Sequence, residues 1–156
     1  MTVVDEKSRI APLDKAALER LGGALDREGV VAGSLIGSQA RGNPSLLSDV
    51  DIAVWHDPEL DSRGRFDLRL SISSEAGRVL GTDEIDVVFL NDAPPLMRQR
   101  AIRDGKRLVE RDRDERVRLE MRAILDYLDT APLRVELGRG MRRRMEEGRF
   151  GRRRSG

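Results

Sequence analysis

Three aspartates are the residues whose type and spacing could support chemistry in this chain of 156 residues. Asp49 and Asp51 lie two positions apart, so on a β-strand their side chains would project from the same face. Asp86 lies at a similar depth in another predicted strand, so the three carboxylates can converge. Like charges repel, so such a cluster is tolerated mainly where divalent cations neutralise it, and oxygen ligands favour Mg²⁺ or Mn²⁺ over zinc. The spacing indicates metal-assisted transfer of a phosphoryl-type group.

A Gly-Ser pair ahead of the aspartates supplies what a bound triphosphate needs. Gly37 and Ser38 follow a short apolar run that contains β-branched residues. Glycine lets the backbone approach a ligand closely, and a serine hydroxyl and N–H can point at phosphate oxygens. Arg41, one turn further on, can add positive charge. We predict Gly37, Ser38 and Arg41 as nucleotide-binding residues.

Helices and short strands alternate around these residues. In the second strand, the period of two places Val50, Ile52 and Val54 on one face, predicted as core, and the carboxylates on the other. Alternation of this kind predicts an α/β fold with helices packed on a sheet of three to five strands. The predicted strands span 30–36, 49–56, 84–91 and 106–110, and the helices span 12–28, 60–80, 96–104 and 111–130, with a final helix after Pro132 interrupts the pattern.

Composition excludes several classes of protein. The chain has no cysteine and a single histidine, which excludes disulfide scaffolds, thiolate zinc sites, thiol nucleophiles and imidazole clusters. Aromatic residues make up only 3%, so stacking platforms for single-stranded nucleic acid are scarce. No apolar run reaches 18 residues and the first residues lack an apolar signal core, so we expect no membrane association and a cytoplasmic location.

Charge is distributed unevenly along the chain. Residues 138–156 contain eight Arg and two Glu, which leaves a net charge of −5 on residues 1–137. We therefore predict a single domain over 1–137 and a basic tail over 138–156. The tail arginines could meet an acidic partner, a triphosphate or RNA, although nucleic acid is not the expected partner and such a run is often only solvated.

Three further features have a structural and a functional interpretation. His56 could reach the rim of the site, but a lone histidine at a strand end is more often a satisfied surface residue. Tyr127 could itself be modified, but it more often packs or faces solvent. The helical stripe of Val117, Met121, Ile124 and Leu128 is most simply core, although its continuation towards Met145 could form part of a partner-binding surface.

The segment GSQARGNPSLLSDVDIAV, residues 37–54, resembles the signature of the DNA polymerase β-like nucleotidyltransferase superfamily. The small size resembles the minimal nucleotidyltransferases, and the closer likeness is to the MntA-type antitoxins. IDVVFLNDAPPLMRQRAIRDGKRLVERD, residues 85–112, is similar to the family's third-carboxylate strand and the segment that follows it. The resemblance covers about residues 12–137, and no position of the motif is broken.

The resemblance implies a small mixed nucleotidyltransferase sheet with C-terminal helices, and an ATP-using enzyme. It implies transfer of AMP to a tyrosine of a partner HEPN-domain ribonuclease toxin of the HepT type, which silences the toxin. Asp49, Asp51 and Asp86 would bind two Mg²⁺ ions, with Asp86 also the base for the attacking hydroxyl.

Two other functions remain open at this point. The protein could neutralise the toxin by binding alone, without transfer of AMP. It could instead modify a small hydroxyl compound, although we expect no added substrate domain in a chain of this length. A homo-oligomer, which could build such a site, also remains open.

Overall fold

A computed structural model of the chain describes residues 13–37 and 49–146, with the side chains of 134, 138 and 141–146 left out. The elements, in chain order, are α1 Lys15–Leu25, β1 Val30–Ile36, β2 Val50–His56, α2 Ser62–Leu80, β3 Ile85–Phe89, a short 3-10 turn Leu90–Asp92, α3 Pro95–Asp104, β4 Lys106–Glu110, α4 Arg113–Asp129 and α5 Ala131–Glu146. The order and type of the predicted elements are confirmed.

The four described strands form one mixed sheet in the order β3-β2-β1-β4. β1 is antiparallel to both β2 and β4, whereas β2 and β3 are parallel and are joined through α2. The predicted α/β fold with a small mixed sheet is therefore confirmed.

Both faces of the sheet are covered by helices. On one face, α1 and α2 pack against the predicted core face of β2, which includes Ile52 and Val54. On the other face, Ala101 of α3 and Ala123 of α4 pack around Ala53 and Trp55. Every residue of β2 is buried except Asp51, which is half-buried.

Helix boundaries follow from capping residues. The Asp14 carboxylate accepts a hydrogen bond from the Ala17 N–H at 2.7 Å, and Asp61 and Asp112 cap α2 and α4 in the same way. Gly81 ends α2 in the left-handed conformation, which glycine adopts without steric cost. With these caps, α1, α2 and α4 begin two or three residues later than the apolar pattern predicts. Pro132 lies in the first turn of α5, where a missing N–H is tolerated.

The stripe on α4 does not form core, so that prediction was wrong. Val117, Met121 and Leu128 are exposed and Ile124 is only partly buried. The helix packs through Ala123, which is fully buried, with Leu119 beside it. A small residue lets the helix lie close to the sheet, so the larger apolar side chains of the stripe face outward.

The prediction of His56 as a surface residue was also wrong, because its exposure is only 3%. The Asn91 side chain accepts a hydrogen bond from the His56 N–H and donates one to the His56 carbonyl, both at 3.0 Å. The imidazole packs edge-on against Phe89, with ring centroids 4.9 Å apart. His56 lies five residues along β2 from Asp51, about 17 Å away at the usual strand rise, and so does not reach the carboxylates.

The C-terminal residues are described only as far as Glu146. α5 runs through the predicted boundary between residues 137 and 138, and residues 147–156 lie outside the described part of the chain. The division into a domain and a tail stays a prediction. Among residues 13–37 and 49–146, no helix combines the length and apolar character that crossing a membrane requires.

Candidate active site

The parallel pairing of β2 and β3 places Asp51 directly opposite Asp86. Residues paired in this way project to the same face of the sheet, about 4.8 Å apart between strands. Asp49 lies two residues before Asp51, and the N–H of the intervening Val50 donates to the Glu84 carbonyl at 2.9 Å. That bond holds the start of β2 beside β3. The extended backbone therefore reaches back towards Asp49, as the predicted placement of Asp49 and Asp51 on one face requires.

Gly37 lies against the same carboxylates from the other neighbouring strand. The register pairs Ile36 with Asp51, so Gly37 follows at the end of β1 with a φ of +75°. A Cβ built on Gly37 would lie 2.6 Å from Asp51 Oδ2. The position therefore requires glycine for two reasons, the left-handed backbone and the close approach of a carboxylate.

The structure thus brings together Gly37, Asp49, Asp51 and Asp86, four of the six predicted site residues. The roles assigned to them stay predictions. Ser38 and Arg41 lie outside the described residues.

Negative charge is concentrated at Asp51, which is half-buried while Asp49 and Asp86 are exposed. Burial raises the pKa of Asp51 above its ordinary value of 3.8, and the charges of Asp86 and Asp49 raise it further. A divalent cation would remove this repulsion, and a set of carboxylate oxygens beside an open glycine backbone suits Mg²⁺. The donor chemistry therefore fits the predicted metal.

The side chains are not closed around a metal position. Within the described ranges, no group of three or more His, Cys, Asp or Glu side chains is arranged to hold an ion. Repulsion between the ionised groups opposes closer approach until a cation is bound. Asp51 and Asp86 are neighbours in the sheet, and Asp49 directly precedes β2.

Two clefts lie on either side of the carboxylates. The first, called the β1 cleft, has a volume of about 420 Å³ and lies between the end of β1 and α3; its walls are Ile36, Gly37, Pro94, Leu96, Met97, Arg100, Ala101 and Asp104. The second, called the β3 groove, has a volume of about 500 Å³ and follows the outer edge of β3; its walls are Arg65, Phe66, Arg69, Asp86, Val87, Val88, Phe89, Asp92, Ala93, Pro94 and Met97. Pro94 and Met97 belong to both walls and separate the two spaces.

Sequence reasoning missed the cations in these clefts. Arg69 stacks on Phe89 with its guanidinium carbon 4.7 Å from the ring centroid, and Arg100 is exposed in the β1 cleft. Neither forms an ion pair with any described carboxylate. The chain has 29 Lys and Arg residues, so no local signal distinguished these two before the helices were placed on the sheet.

A mixed sheet that carries acidic residues at one end, beside a glycine turn, defines a nucleotidyltransferase-type domain. The comparison with protein families agrees: the model of the polymerase beta nucleotidyltransferase domain matches residues 23–114. The chain belongs to this family, as its motifs predicted.

One relative with a named activity is similar to part of this chain. Protein adenylyltransferase MntA of Aphanizomenon flos-aquae is 33% identical over 101 residues. The alignment covers 58% of this chain, and the chain spans only 64% of the length of that relative. The predicted resemblance to MntA-type proteins is confirmed.

Solved structures share the fold. A toxin–antitoxin structure with AMP-PNP matches with a TM-score of 0.60 and 23% identity, over 83% of this chain and 99% of the other. A tri-AMPylated HEPN toxin of Shewanella oneidensis in complex with MNT antitoxin matches with a TM-score of 0.60 and 20% identity, over 83% and 99% of the two chains. At these identities the likeness shows the fold alone.

Proposed function

We propose that this protein is an antitoxin that transfers AMP from ATP to a tyrosine hydroxyl of a partner HEPN toxin and thereby neutralises it. The observation that carries the proposal is the row formed by Asp51 opposite Asp86, with Gly37 against Asp51 from the other side. Support comes from the family, from the relative named a protein adenylyltransferase, and from related folds in complexes with a HEPN toxin and with AMP-PNP.

Each site residue has a definite task in this reaction. Asp49, Asp51 and Asp86 would hold Mg²⁺, which when bound neutralises the triphosphate and the departing pyrophosphate. The backbone at Gly37 and the Ser38 hydroxyl would contact phosphate oxygens, and Arg41 would add positive charge.

Transfer then requires one bond to form and one to break. The tyrosine oxygen bonds to the α-phosphorus of ATP while the bond between that phosphorus and the bridging oxygen of the β-phosphate breaks. Pyrophosphate leaves, and Asp86 accepts the tyrosine proton, the role that the family resemblance implies for the third carboxylate.

Intact mass spectrometry tests the proposal directly. A HEPN toxin would be incubated with this protein, ATP and Mg²⁺. We expect mass added in whole adenylyl units, and no added mass with the variant that carries Asp49→Asn and Asp51→Asn. Asp83→Asn is the matched control. It removes a nearby carboxylate, just before β3, but the charge of Asp83 does not shift the pKa of Asp51.

Other outcomes would replace the proposal. A stable complex that blocks the toxin without any added mass, and survives the double substitution, would establish inhibition by binding alone. Adenylylation of a small hydroxyl compound with the toxin unmodified would identify a small-molecule transferase.

A further inference from the structure

The β3 groove is open at the edge of the sheet and includes Asp86 in its wall. β3 is the outermost described strand on this side, so the backbone groups of its outer edge have no strand partner in the described chain. A groove beside an open strand edge suits a polypeptide segment better than a small compound.

The groove also offers an apolar surface and a cation. Phe66 on α2 is 64% exposed, although a large aromatic side chain gains free energy when it is covered. Arg69 follows three residues later on the same helix and is held over Phe89. Because no described carboxylate pairs with Arg69, its charge is available to an anionic group brought by a partner.

Arg65, by contrast, is already engaged. Its guanidinium donates to the Leu60 carbonyl at 2.8 Å and to the Ser62 hydroxyl at 3.1 Å. These bonds fix one end of the groove and leave Arg69 as the cation that can respond to a ligand.

The geometry of displacement determines which substrate enters from this side. In an in-line transfer, the attacking oxygen and the departing pyrophosphate lie on opposite sides of the phosphorus. Gly37, directly after β1, and Asp86 on β3 lie on opposite sides of Asp51. With the phosphates at Gly37, the acceptor hydroxyl has to approach from the β3 groove.

We propose that the β3 groove binds the tyrosine-bearing segment of the HEPN partner. The tyrosine reaches Asp86, the rest of the segment covers Phe66, and an acidic side chain of the segment pairs with Arg69. This inference rests on the proposed function. It goes beyond it by naming the acceptor site and two residues that select the acceptor.

Steady-state kinetics with the partner toxin tests the groove. We expect Phe66→Ala and Arg69→Gln each to raise the KM for the toxin about tenfold, as loss of a charge-assisted contact or an aromatic contact does, with the KM for ATP unchanged. Leu70→Ala and Arg63→Ala are the matched controls, because they remove an exposed apolar residue and an exposed cation of α2 outside the groove. Unchanged toxin KM, or an equal rise in the KM for ATP, would overturn the assignment.

Toxin affinity separates this inference from the proposed function. Titration calorimetry without ATP would use the catalytically disabled protein with Asp49→Asn and Asp51→Asn, with and without the groove substitutions. If the wild-type protein transfers no AMP but the groove variants bind toxin about tenfold more weakly than the controls, the groove stands and the proposed transfer fails. Equal affinity across all variants, or no binding at all, overturns the groove.

Discussion

Gly37→Ala tests how the end of β1 controls the carboxylates. The added methyl group meets two obstacles, a backbone φ of +75° and the Asp51 Oδ2 atom at 2.6 Å. The oxygen lies at the far end of a side chain, so rotation of the Asp51 carboxylate relieves the collision. That rotation moves a predicted metal ligand, so the substitution should harm activity far more than stability.

The two effects have different magnitudes. An L-residue in the left-handed conformation costs about 1–2 kcal/mol, which lowers the melting temperature by about 2–8 °C in a protein of this size. Displacement of a reacting group by about 1 Å can reduce the rate about 100-fold. We therefore expect a modest loss of thermal stability and a loss of AMP transfer of about two orders of magnitude.

Gly81→Ala provides the matched control. Gly81 has a φ of +69°, and nothing lies within 4 Å of the Cβ position. Both variants should melt at similar temperatures by scanning fluorimetry, whereas only Gly37→Ala should lose AMP transfer and the Mg²⁺-dependent rise in melting temperature. Full activity in Gly37→Ala, or an equal loss in Gly81→Ala, would refute the assignment of Gly37 to the site.

Three more predictions concern charge and packing. The pKa of Asp51 is raised in the folded state, so unfolding releases a proton. The stability of the metal-free protein should therefore fall as the pH rises from below 3.8 through the raised pKa. In fluorimetry, Asp51→Asn should flatten this pH dependence and melt at a higher temperature than the wild type near neutral pH. Mg²⁺ at about 100 times its Kd should add about 2.7 kcal/mol to the unfolding free energy, and Asp86→Asn should reduce that gain in denaturant titrations. Leu128→Ser on the exposed stripe should change the unfolding free energy by less than about 0.5 kcal/mol, whereas Leu21→Ala in the core should cost about 2–5 kcal/mol. Urea curves that reversed this order would contradict the packing described.

The strands were the part of the fold that the sequence predicted most closely. β1 and β4 have the predicted bounds, and β2 differs by one residue. β1 and β2 are short, mostly apolar runs that end next to a glycine or a polar residue, whereas β4 is charged at three of its five positions and follows Gly105. The starts of α1 and α2 were predicted two or three residues too early, because the Asp14 and Asp61 caps decide where each helix begins, whereas apolar spacing extends ahead of both caps. The end of α2 at Leu80, before Gly81, was predicted correctly.

The outward direction of the α4 stripe could not be obtained from spacing. Periodicity shows that Val117, Met121 and Leu128 share a face, but it does not show what covers that face. Ala123 makes the actual contact with the sheet, and a single alanine gives a weak pattern. The environment of His56 likewise depends on a residue distant in the chain, because its ring packs against Phe89 of β3.

The sequence was sufficient to predict the residue types of the candidate site, but not its full geometry. The motif identified Asp51 and Asp86, but their pairing depends on β2 and β3 being parallel neighbours, which one sequence does not determine. The β3 groove was not predicted, because Arg69 becomes distinctive only once α2 lies beside Phe89.

The double covering of β2 has a consequence for motion in the molecule. Amide hydrogens in a central strand with apolar layers on both faces exchange with solvent mainly through global unfolding. Asp51 lies on this strand, so its backbone amide should be among the slowest-exchanging in the protein. The walls of the β3 groove that lie on a helix and a turn should move on faster timescales. The acceptor would then adjust to the carboxylates, and the carboxylates would stay where the sheet holds them.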